Sequence, residues 1–137
     1  MAAAGRGPLP PIQRLCDPPG AIRRDDGTVI AARGWTAARF PARALGLLGT
    51  PALAPDEALW VPRCRYIHTW AMGMPIACVL LDGDGVVIGI QDPVPAWRIV
   101  GTRRARTVIE GPLGLGARVR IGDRLSGPDQ SSGVSSR

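Results

Sequence analysis

Apolar residues along the chain fall into short runs separated by glycine, proline and aspartate, a pattern typical of short β-strands joined by turns. The clearest example lies at residues 76–81 and 86–90, two apolar runs that flank the sequence Asp-Gly-Asp-Gly at 82–85. Because Asp-Gly pairs favour the tight turns of β-hairpins, this segment is predicted to form a hairpin.

Further strands are predicted from the same signals at residues 28–32, 58–61, 64–72, 99–100, 104–110 and 119–125. A helix is predicted at residues 40–48, where Pro41 suits a first helical turn and Phe40, Ala44, Leu47 and Leu48 share one helical face. Short strands at regular spacing with a single helix indicate a mainly β fold, an antiparallel sandwich or barrel.

The two ends of the chain show neither the strand-like nor the helix-like spacing of apolar residues. Residues 1–27 hold five prolines before position 20, and they are expected to form a mobile extension. Residues 126–137 (SGPDQSSGVSSR) are rich in serine and glycine and are expected to be a disordered tail. A single domain is therefore expected over residues 28–125.

The length and composition limit what this domain can be. A chain of 137 residues with 45% hydrophobic residues has room for one small core, which excludes the large catalytic scaffolds. Its net charge of +6 comes from arginine in a chain also rich in glycine and proline, so a compositional bias explains the charge better than a binding surface.

The tightest basic run contains Arg103, Arg104 and Arg106, whose alternate members would share one face of a strand as a stripe. Such charges commonly protect exposed strand edges from pairing. Nucleic acid is therefore not the expected partner, although an arginine-driven binder of nucleic acid or another anionic polymer stays an alternative.

The three cysteines, at 16, 64 and 78, contain no CxxC pair, so no disulfide framework is expected. No segment approaches the roughly 20 apolar residues of a membrane span, and residues 1–11 lack the apolar centre of a signal peptide. We expect a cytoplasmic location and no membrane partner.

Several motifs occur together in a characteristic order: residues 43–47 (RALGL), 64–72 (CRYIHTWAM), 75–85 (PIACVLLDGDG), 95–98 (PAWR), 108–110 (VIE) and 122–125 (GDRL). In this order, from about residue 39 to 125, the chain resembles the small prokaryotic family known as domain of unknown function 192. The resemblance implies an all-β, jelly-roll-like sandwich with one short helix and no settled activity.

The chain departs from the family pattern at two places. An acidic residue of the family is missing from residues 75–78 (PIAC), so any role of that carboxylate is absent here. The stretch between Glu110 and Gly122 is a residue or two short for the family's helical turn, which favours a plain loop.

Cys64, His68 and Met72 recur at intervals of four and could be soft metal ligands. On a strand, however, successive members would lie roughly 13 Å apart, too far to share one ion. No metal and no cofactor are therefore expected.

The same segment would place Cys64, Tyr66, His68, Trp70 and Met72 on one face of a strand. That face is either the core of the sandwich or the wall of a ligand groove. In the second case Trp97 and Arg98 would add a stacking surface and an anion-binding fork.

The candidate ligand-binding residues are accordingly His68, Trp70, Trp97 and Arg98, and the expected ligand is small or anionic. The competing hypothesis pairs Arg98 with a carboxylate such as Glu110 in a purely structural role. No catalytic residue is assigned. We expect a non-enzymatic binding or accessory module, with a small enzyme using His68 as the alternative, and the oligomeric state is left open.

Overall fold

The computed structural model describes residues 17–37, 53–69 and 75–128. Within these ranges the chain forms nine strands and one short 3-10 turn: β1 (Asp17–Arg24), β2 (Val29–Thr36), β3 (Glu57–Pro62), β4 (Tyr66–His68), β5 (Ile76–Leu81), β6 (Val87–Val94), β7 (Ile99–Gly101), β8 (Thr107–Gly111), the 3-10 turn (Leu115–Arg118) and β9 (Leu125–Ser126). This part of the protein contains no helix with the length and hydrophobicity needed to cross a lipid bilayer.

Seven strands form one sheet in the order β6-β5-β8-β3-β2-β1-β9, and β4 pairs with β7 in a separate two-stranded ribbon. The large sheet curls, and its opposite edges meet where the backbone N–H of Leu125 donates to Gly85 at 2.9 Å and that of Val87 donates to Asp123 at 2.8 Å. The result is a half-barrel, which confirms the predicted mainly β class. The jelly-roll order of strands stays a prediction.

The half-barrel buries apolar side chains on both faces of its sheet. One cluster includes Ile22, Ile109 and Leu125, from strands that span the sheet to its β9 edge, so it fills the inner side of the curl. The other includes Leu59 and Val108 from the large sheet together with Ile67 from the ribbon. The ribbon therefore covers the outer face, and we call these two sets the inner cluster and the outer cluster.

The hairpin predicted from the Asp-Gly-Asp-Gly sequence is confirmed, since β5 and β6 pair in antiparallel register around it. The Asp82 carboxylate accepts hydrogen bonds from the backbone N–H groups of Asp84 (2.8 Å) and Val86 (3.0 Å). Both bonds lower the pKa of Asp82, and the bond from Val86 has the larger effect. Gly85 takes a positive φ of 82°, which glycine adopts without the clash of a Cβ atom.

Several expected boundaries are wrong. β1 lies in the segment expected to be a mobile extension, and β9 with residues 127 and 128 continues past the expected end of the domain at 125. The proline signal in residues 1–27 is overridden because β1 gains hydrogen-bonded partners on both sides, β2 and β9, which are distant in sequence. The predicted helix at 40–48 lies outside the described residues.

Other differences concern single elements. β2 and β3 are parallel, which is an exception to the mainly antiparallel pairing that was expected and that the other strand pairs show. Residues 102–106 form a turn before β8, so Arg103, Arg104 and Arg106 are not a strand stripe. Arg106 Nη1 instead donates to the carbonyls of Arg103 and Ala105, both at 2.8 Å.

The stretch between Glu110 and Gly122, which was expected to be a plain loop, contains the 3-10 turn. Asp92 caps this turn by accepting hydrogen bonds from the N–H groups of Gly114 and Gly116.

We predict that Ile22→Ala lowers the free energy of unfolding by roughly 2 to 5 kcal/mol, because Ile22 is fully buried in the inner cluster. Urea unfolding measures the change. Val29→Ala is the control, since Val29 is 44% exposed and should change stability by less than about 0.5 kcal/mol. Equal stability of the two variants would mean that β1 does not dock on the sheet.

Glu110 is an ionisable side chain in the centre of the sheet. It pairs with Leu59 on β3 and with Cys78 on β5, both members of the outer cluster, and it is only 4% exposed. Burial raises the pKa of Glu110 from 4.5 to about 7. Burial, with the nearby Glu110 charge as a smaller cause, also raises the pKa of the Cys78 thiol.

The raised pKa of Glu110 predicts that the protein loses stability as the pH rises from 4.5 to 7. In that window the unfolded chain releases a proton that the folded chain keeps, and above it the folded state carries a buried charge. The full loss is on the order of 3 kcal/mol. Glu110→Gln should flatten this part of the curve of unfolding free energy against pH.

The control for this prediction is Asp84→Asn in the exposed hairpin turn, which should keep the pH dependence of the wild type. Urea unfolding at several pH values between 4.5 and 8 gives the three curves. Parallel curves for the wild type and Glu110→Gln would contradict the assignment of the pH dependence to Glu110.

Candidate functional site

The β4–β7 ribbon contains His68, one of the four predicted site residues, and Trp97 and Arg98 directly precede β7. In its antiparallel register Ile67 pairs with Val100 and His68 pairs with Ile99. Paired residues share a face of the ribbon, and Ile67 and Val100 pack against the outer cluster. His68 and Ile99 consequently lie on the face that is exposed to solvent.

This arrangement bears on the two alternatives left open for the face that carries Tyr66 and His68, the sandwich core or the wall of a groove. Tyr66 is 51% exposed and His68 is exposed, whereas Ile67 and Thr69 are buried. The face bearing Tyr66 and His68 is therefore not the core. The reason is that β4 is only three residues long and has one aliphatic side chain to bury, while tyrosine and histidine keep favourable contact with water.

Thr69, directly after β4, fastens the loop that carries Trp97 and Arg98. Its hydroxyl donates to the carbonyl of Pro95 at 2.7 Å and accepts from the N–H of Arg98 at 2.9 Å. Its backbone carbonyl accepts from the N–H of Trp97 at 2.9 Å, and its own N–H donates to the carbonyl of Arg98 at 2.8 Å. The sequence prediction that Trp97 and Arg98 belong beside His68 thus has a geometric basis in this fully buried threonine.

Trp97 is held in a costly conformation. Its φ of 65° lies in the left-handed region, which is unfavourable for a bulky residue, and its side chain is 64% exposed. The indole therefore contributes little to the core in return for the strain. Strained residues of this kind cluster at binding and catalytic sites.

Arg98 is exposed, and its Nη1 donates to the carbonyl of Trp97 at 3.3 Å. Glu110 lies in the outer cluster, and the pKa of its carboxyl is governed by burial alone. The competing hypothesis of a structural Arg98–Glu110 pair is therefore wrong. The guanidinium of Arg98 has further N–H donors, and the side chain that carries them is exposed to solvent.

We define the ribbon surface as the exposed side chains around β4 and β7: Tyr66, His68, Trp97, Arg98 and Ile99. The two stretches that form it, residues 62–69 and 95–106, carry arginines and no aspartate or glutamate. Arg65 adds a further exposed cation on the same ribbon. The surface thus combines apolar and aromatic groups with positive charge.

A groove of about 240 Å³ lies between the ribbon and strand β6. Residues 89–91 of β6 and residues 99–101 of β7 form its walls, with Leu80 contributing from β5. Its lining is mostly aliphatic side chains and glycine. A groove of this size accommodates about one side chain of a partner rather than a drug-sized ligand.

Among the four predicted site residues, the structure brings His68, Trp97 and Arg98 to neighbouring positions, while Trp70 lies outside the described residues. Sequence reasoning did not select Ile99, which is 62% exposed and borders the groove. Its position on the exposed face follows from pairing with His68, and no local pattern in residues 99–100 gives that pairing.

Metal-binding chemistry finds no support in the described part of the chain, where no three His, Cys, Asp or Glu side chains are grouped to hold an ion. The thiol of Cys64 donates to the carbonyl of Tyr66 at 3.3 Å. Met72, the third member of the soft-ligand series, lies outside the described residues, so the absence of a metal stays a prediction.

The fold and the ribbon define a small β half-barrel domain with an exposed two-stranded attachment. Residues 21–127 match the model of the domain of unknown function 192 family, described as an uncharacterized ACR. The chain belongs to this family, as the sequence motifs indicated. No curated protein matches the chain.

Two solved structures share the fold. One is a provisionally assigned transcription regulator from Sinorhizobium meliloti 1021, with 22% identity, a TM-score of 0.69 and coverage of 79% of this chain and 92% of the other. The second is a protein of unknown function from Novosphingobium aromaticivorans DSM 12444, with 21% identity, a TM-score of 0.68 and coverage of 90% and 94%. At these identities the likeness concerns the fold alone.

We predict that Thr69→Val lowers the free energy of unfolding by about 1 to 3 kcal/mol, because it removes the two part-buried hydrogen bonds that the buried Thr69 hydroxyl makes to the Pro95 carbonyl and the Arg98 N–H. The loop should also loosen, which time-resolved anisotropy of Trp97 emission would detect in a variant that keeps only this tryptophan.

Thr102→Val is the matched control, since the Thr102 hydroxyl accepts a single long hydrogen bond of 3.4 Å from the exposed N–H of Arg104. It should leave both stability and Trp97 mobility unchanged. Equal effects of the two substitutions would show that Thr69 does not position the loop.

Proposed function

We propose that this protein is a non-enzymatic binding module whose ribbon surface takes an acidic peptide segment of a partner protein. The observation that carries the proposal is Trp97, an indole exposed by 64% on left-handed backbone beside Arg98. Stability alone gives no reason to place a large apolar ring in water on a strained residue, whereas binding does.

The exposed apolar area supports a protein partner. Of the large hydrophobic residues that are exposed in the described part of the chain, Tyr66, Trp97 and Ile99 lie together around one ribbon. Clusters of exposed apolar groups mark interaction sites more often than scattered ones do. Tryptophan, tyrosine and arginine are also the residue types that contribute most to binding energy at interfaces.

Charge complementarity supports an acidic partner. Arg65 and Arg98 are exposed, and the stretches that form the ribbon surface contain no carboxylate. A guanidinium presents paired N–H groups that match the two oxygens of a carboxylate. An aspartate or glutamate of the partner would therefore bind at Arg98 while an adjacent aliphatic side chain enters the groove beside Ile99.

A peptide suits this surface better than a nucleic acid. The groove is lined by aliphatic side chains, glycine and Gln91 and has no aromatic wall, whereas single-stranded nucleic acids stack their bases on a series of aromatic platforms. Arg103, Arg104 and Arg106 sit in a turn instead of forming a strand stripe. The alternative of an enzyme is less favoured because His68 lies on an open face rather than in a closed pocket.

The test is fluorescence anisotropy with three labelled probes at physiological salt: a short leucine–glutamate peptide, the same peptide with glutamine in place of glutamate, and an oligothymidylate. The acidic peptide should bind most tightly, and its affinity should fall as salt rises. Trp97→Ala and Arg98→Ala should each weaken it by roughly tenfold or more.

Matched controls are Ile121→Ala and Arg120→Ala, an exposed aliphatic residue and an exposed arginine on another turn. Both should bind the acidic peptide as the wild type does. The proposal fails if the ribbon variants behave like these controls, or if no peptide binds. Tighter binding of the oligothymidylate would replace it with the nucleic-acid alternative.

A further inference from the structure

Strand β6 is the last strand on one side of the large sheet, and most of its outer edge has no partner. It pairs with β5 on one side. On the other side Val87 donates its N–H to Asp123 and accepts from the N–H of Gly122. Beyond Val87, no strand or backbone hydrogen bond reaches this side of β6 within the described ranges. The backbone of residues 88–91 therefore forms an open sheet edge.

The alternation of backbone groups identifies the residue that faces this edge. The carbonyl of Leu81 accepts from the N–H of Arg106 at 2.7 Å, on the side of β5 that faces β8. Successive residues of a strand direct their backbone groups to opposite sides, so those of Leu80 point to β6, where its register partner is Gly89. The backbone groups of Gly89 consequently point to β5. The N–H and C=O of the next residue, Ile90, point to the open edge.

The groove beside the ribbon opens at this same edge. Ile90 packs its side chain against the inner cluster, yet it also lines the groove, which lies between β6 and the ribbon that covers the outer face. Its backbone is therefore part of the groove wall. Gly89, the residue before it, has no side chain that could cover this backbone. A main-chain donor and acceptor are thus accessible next to the ribbon surface.

The large sheet protects its other open edge but leaves this one unprotected. Beyond its short pairing with β9, strand β1 is also an edge, and there it contains Pro18 and Pro19, which have no N–H to offer. Prolines and charged side chains are the usual means of keeping another strand from an edge. Residues 88–91 (IGIQ) contain neither. Asp92, the next residue of β6, is engaged in capping the 3-10 turn.

We infer that the peptide bound at the ribbon surface is extended and adds a strand to the edge of β6, with main-chain hydrogen bonds to the N–H and C=O of Ile90. This inference rests on the function proposed above and states how the peptide is held. An added strand obtains affinity from its main chain and selectivity from alternate side chains that enter pockets. The groove is the pocket for one such side chain.

The charged part of the ribbon surface lies within reach of a strand placed in this way. Ile99 lines the groove together with Ile90, and Arg98 directly precedes Ile99. An extended chain advances about 3.3 Å per residue. The acidic residue that meets Arg98 is therefore only a few positions from the residue that pairs with Ile90, so a short peptide makes both contacts.

The first test uses an alternating leucine–glutamate peptide and two N-methylated forms of it, one methylated at every leucine nitrogen and the other at every glutamate nitrogen. Alternate N–H groups of an added strand face β6. One methylated peptide should therefore bind at least about tenfold more weakly than the parent, while the other keeps the affinity of the parent. The two forms carry equal numbers of methyl groups, so each is the control for the other. Fluorescence anisotropy gives the affinities.

The second test follows amide hydrogen exchange in the protein by NMR. Adding the unmethylated peptide should slow exchange of the Ile90 N–H by about tenfold or more, because that group gains a hydrogen bond. The N–H groups of Gly89 and Gln91 serve as internal controls. Both residues are register partners of β5 residues, and their exchange should change little.

A pair of variants tests the same hydrogen bond from the side of the protein. Ile90→Pro removes the N–H at an edge position and should weaken binding of the unmethylated peptide about tenfold. Ile90→Ala removes similar side-chain packing, keeps the N–H and should bind the peptide as the wild type does. Melting temperatures show whether both variants are folded, and the two tests above decide the matter if Ile90→Pro is not.

The inference is overturned if the unmethylated peptide binds but the two methylated forms have equal affinity, or if exchange of the Ile90 N–H stays unchanged in the complex. In either case side chains alone hold the peptide, and the proposed function stands without the added strand. Failure of the unmethylated peptide to bind contradicts the proposed function and the inference together.

Discussion

The rest of the structure depends on the burial of the central strands on both faces. Every residue of β5 is buried, and its apolar side chains divide between the inner and the outer cluster. A strand of this kind is stable only if an apolar layer covers each side. The inner side is covered by curling the sheet until β9 meets the start of β6, and the outer side is covered in part by the β4–β7 ribbon.

The need to cover the outer side of the sheet explains why the ribbon buries one of its faces and exposes the other. Two strands of three residues each can bury only one side, and Ile67 and Val100 provide it. The opposite side of the ribbon is then exposed to water, and the alternation of side chains along β4 and β7 decides which residues lie there. In this protein they are aromatic, aliphatic and cationic, and Thr69 adds a rigid connection to the strained loop at Trp97. A structural element that the core requires thereby exposes the aromatic and cationic surface for which we propose a binding role.

The two faces of the sheet also hold the polar groups that conflict with burial. Glu110 lies on the outer face, where the cost of desolvation appears as a raised pKa and makes stability depend on pH. Thr36 lies beside Trp60 at the end of the sheet, and among the described residues its buried hydroxyl has no hydrogen-bond partner. The two groups respond differently to burial: the carboxyl of Glu110 keeps its proton to a higher pH, whereas the hydroxyl of Thr36 has no such change of charge available.

The local sequence determined those elements whose strand and turn patterns are adjacent in the chain. The Asp-Gly-Asp-Gly turn and its apolar flanks predicted the β5–β6 hairpin because strand, turn and partner are adjacent in the chain. The family motifs likewise identified the correct family, whereas the contact of the Trp97–Arg98 loop with the strand bearing His68 was a conditional expectation that the hydrogen bonds of Thr69 fulfil. Tertiary structure alone decided the docking of β1 between β2 and β9, the parallel pairing of β2 with β3, and the exposure of Tyr66 and His68. These features depend on partners far away in sequence, and a short strand with aromatic residues on alternate positions does not reveal which of its faces will meet a core.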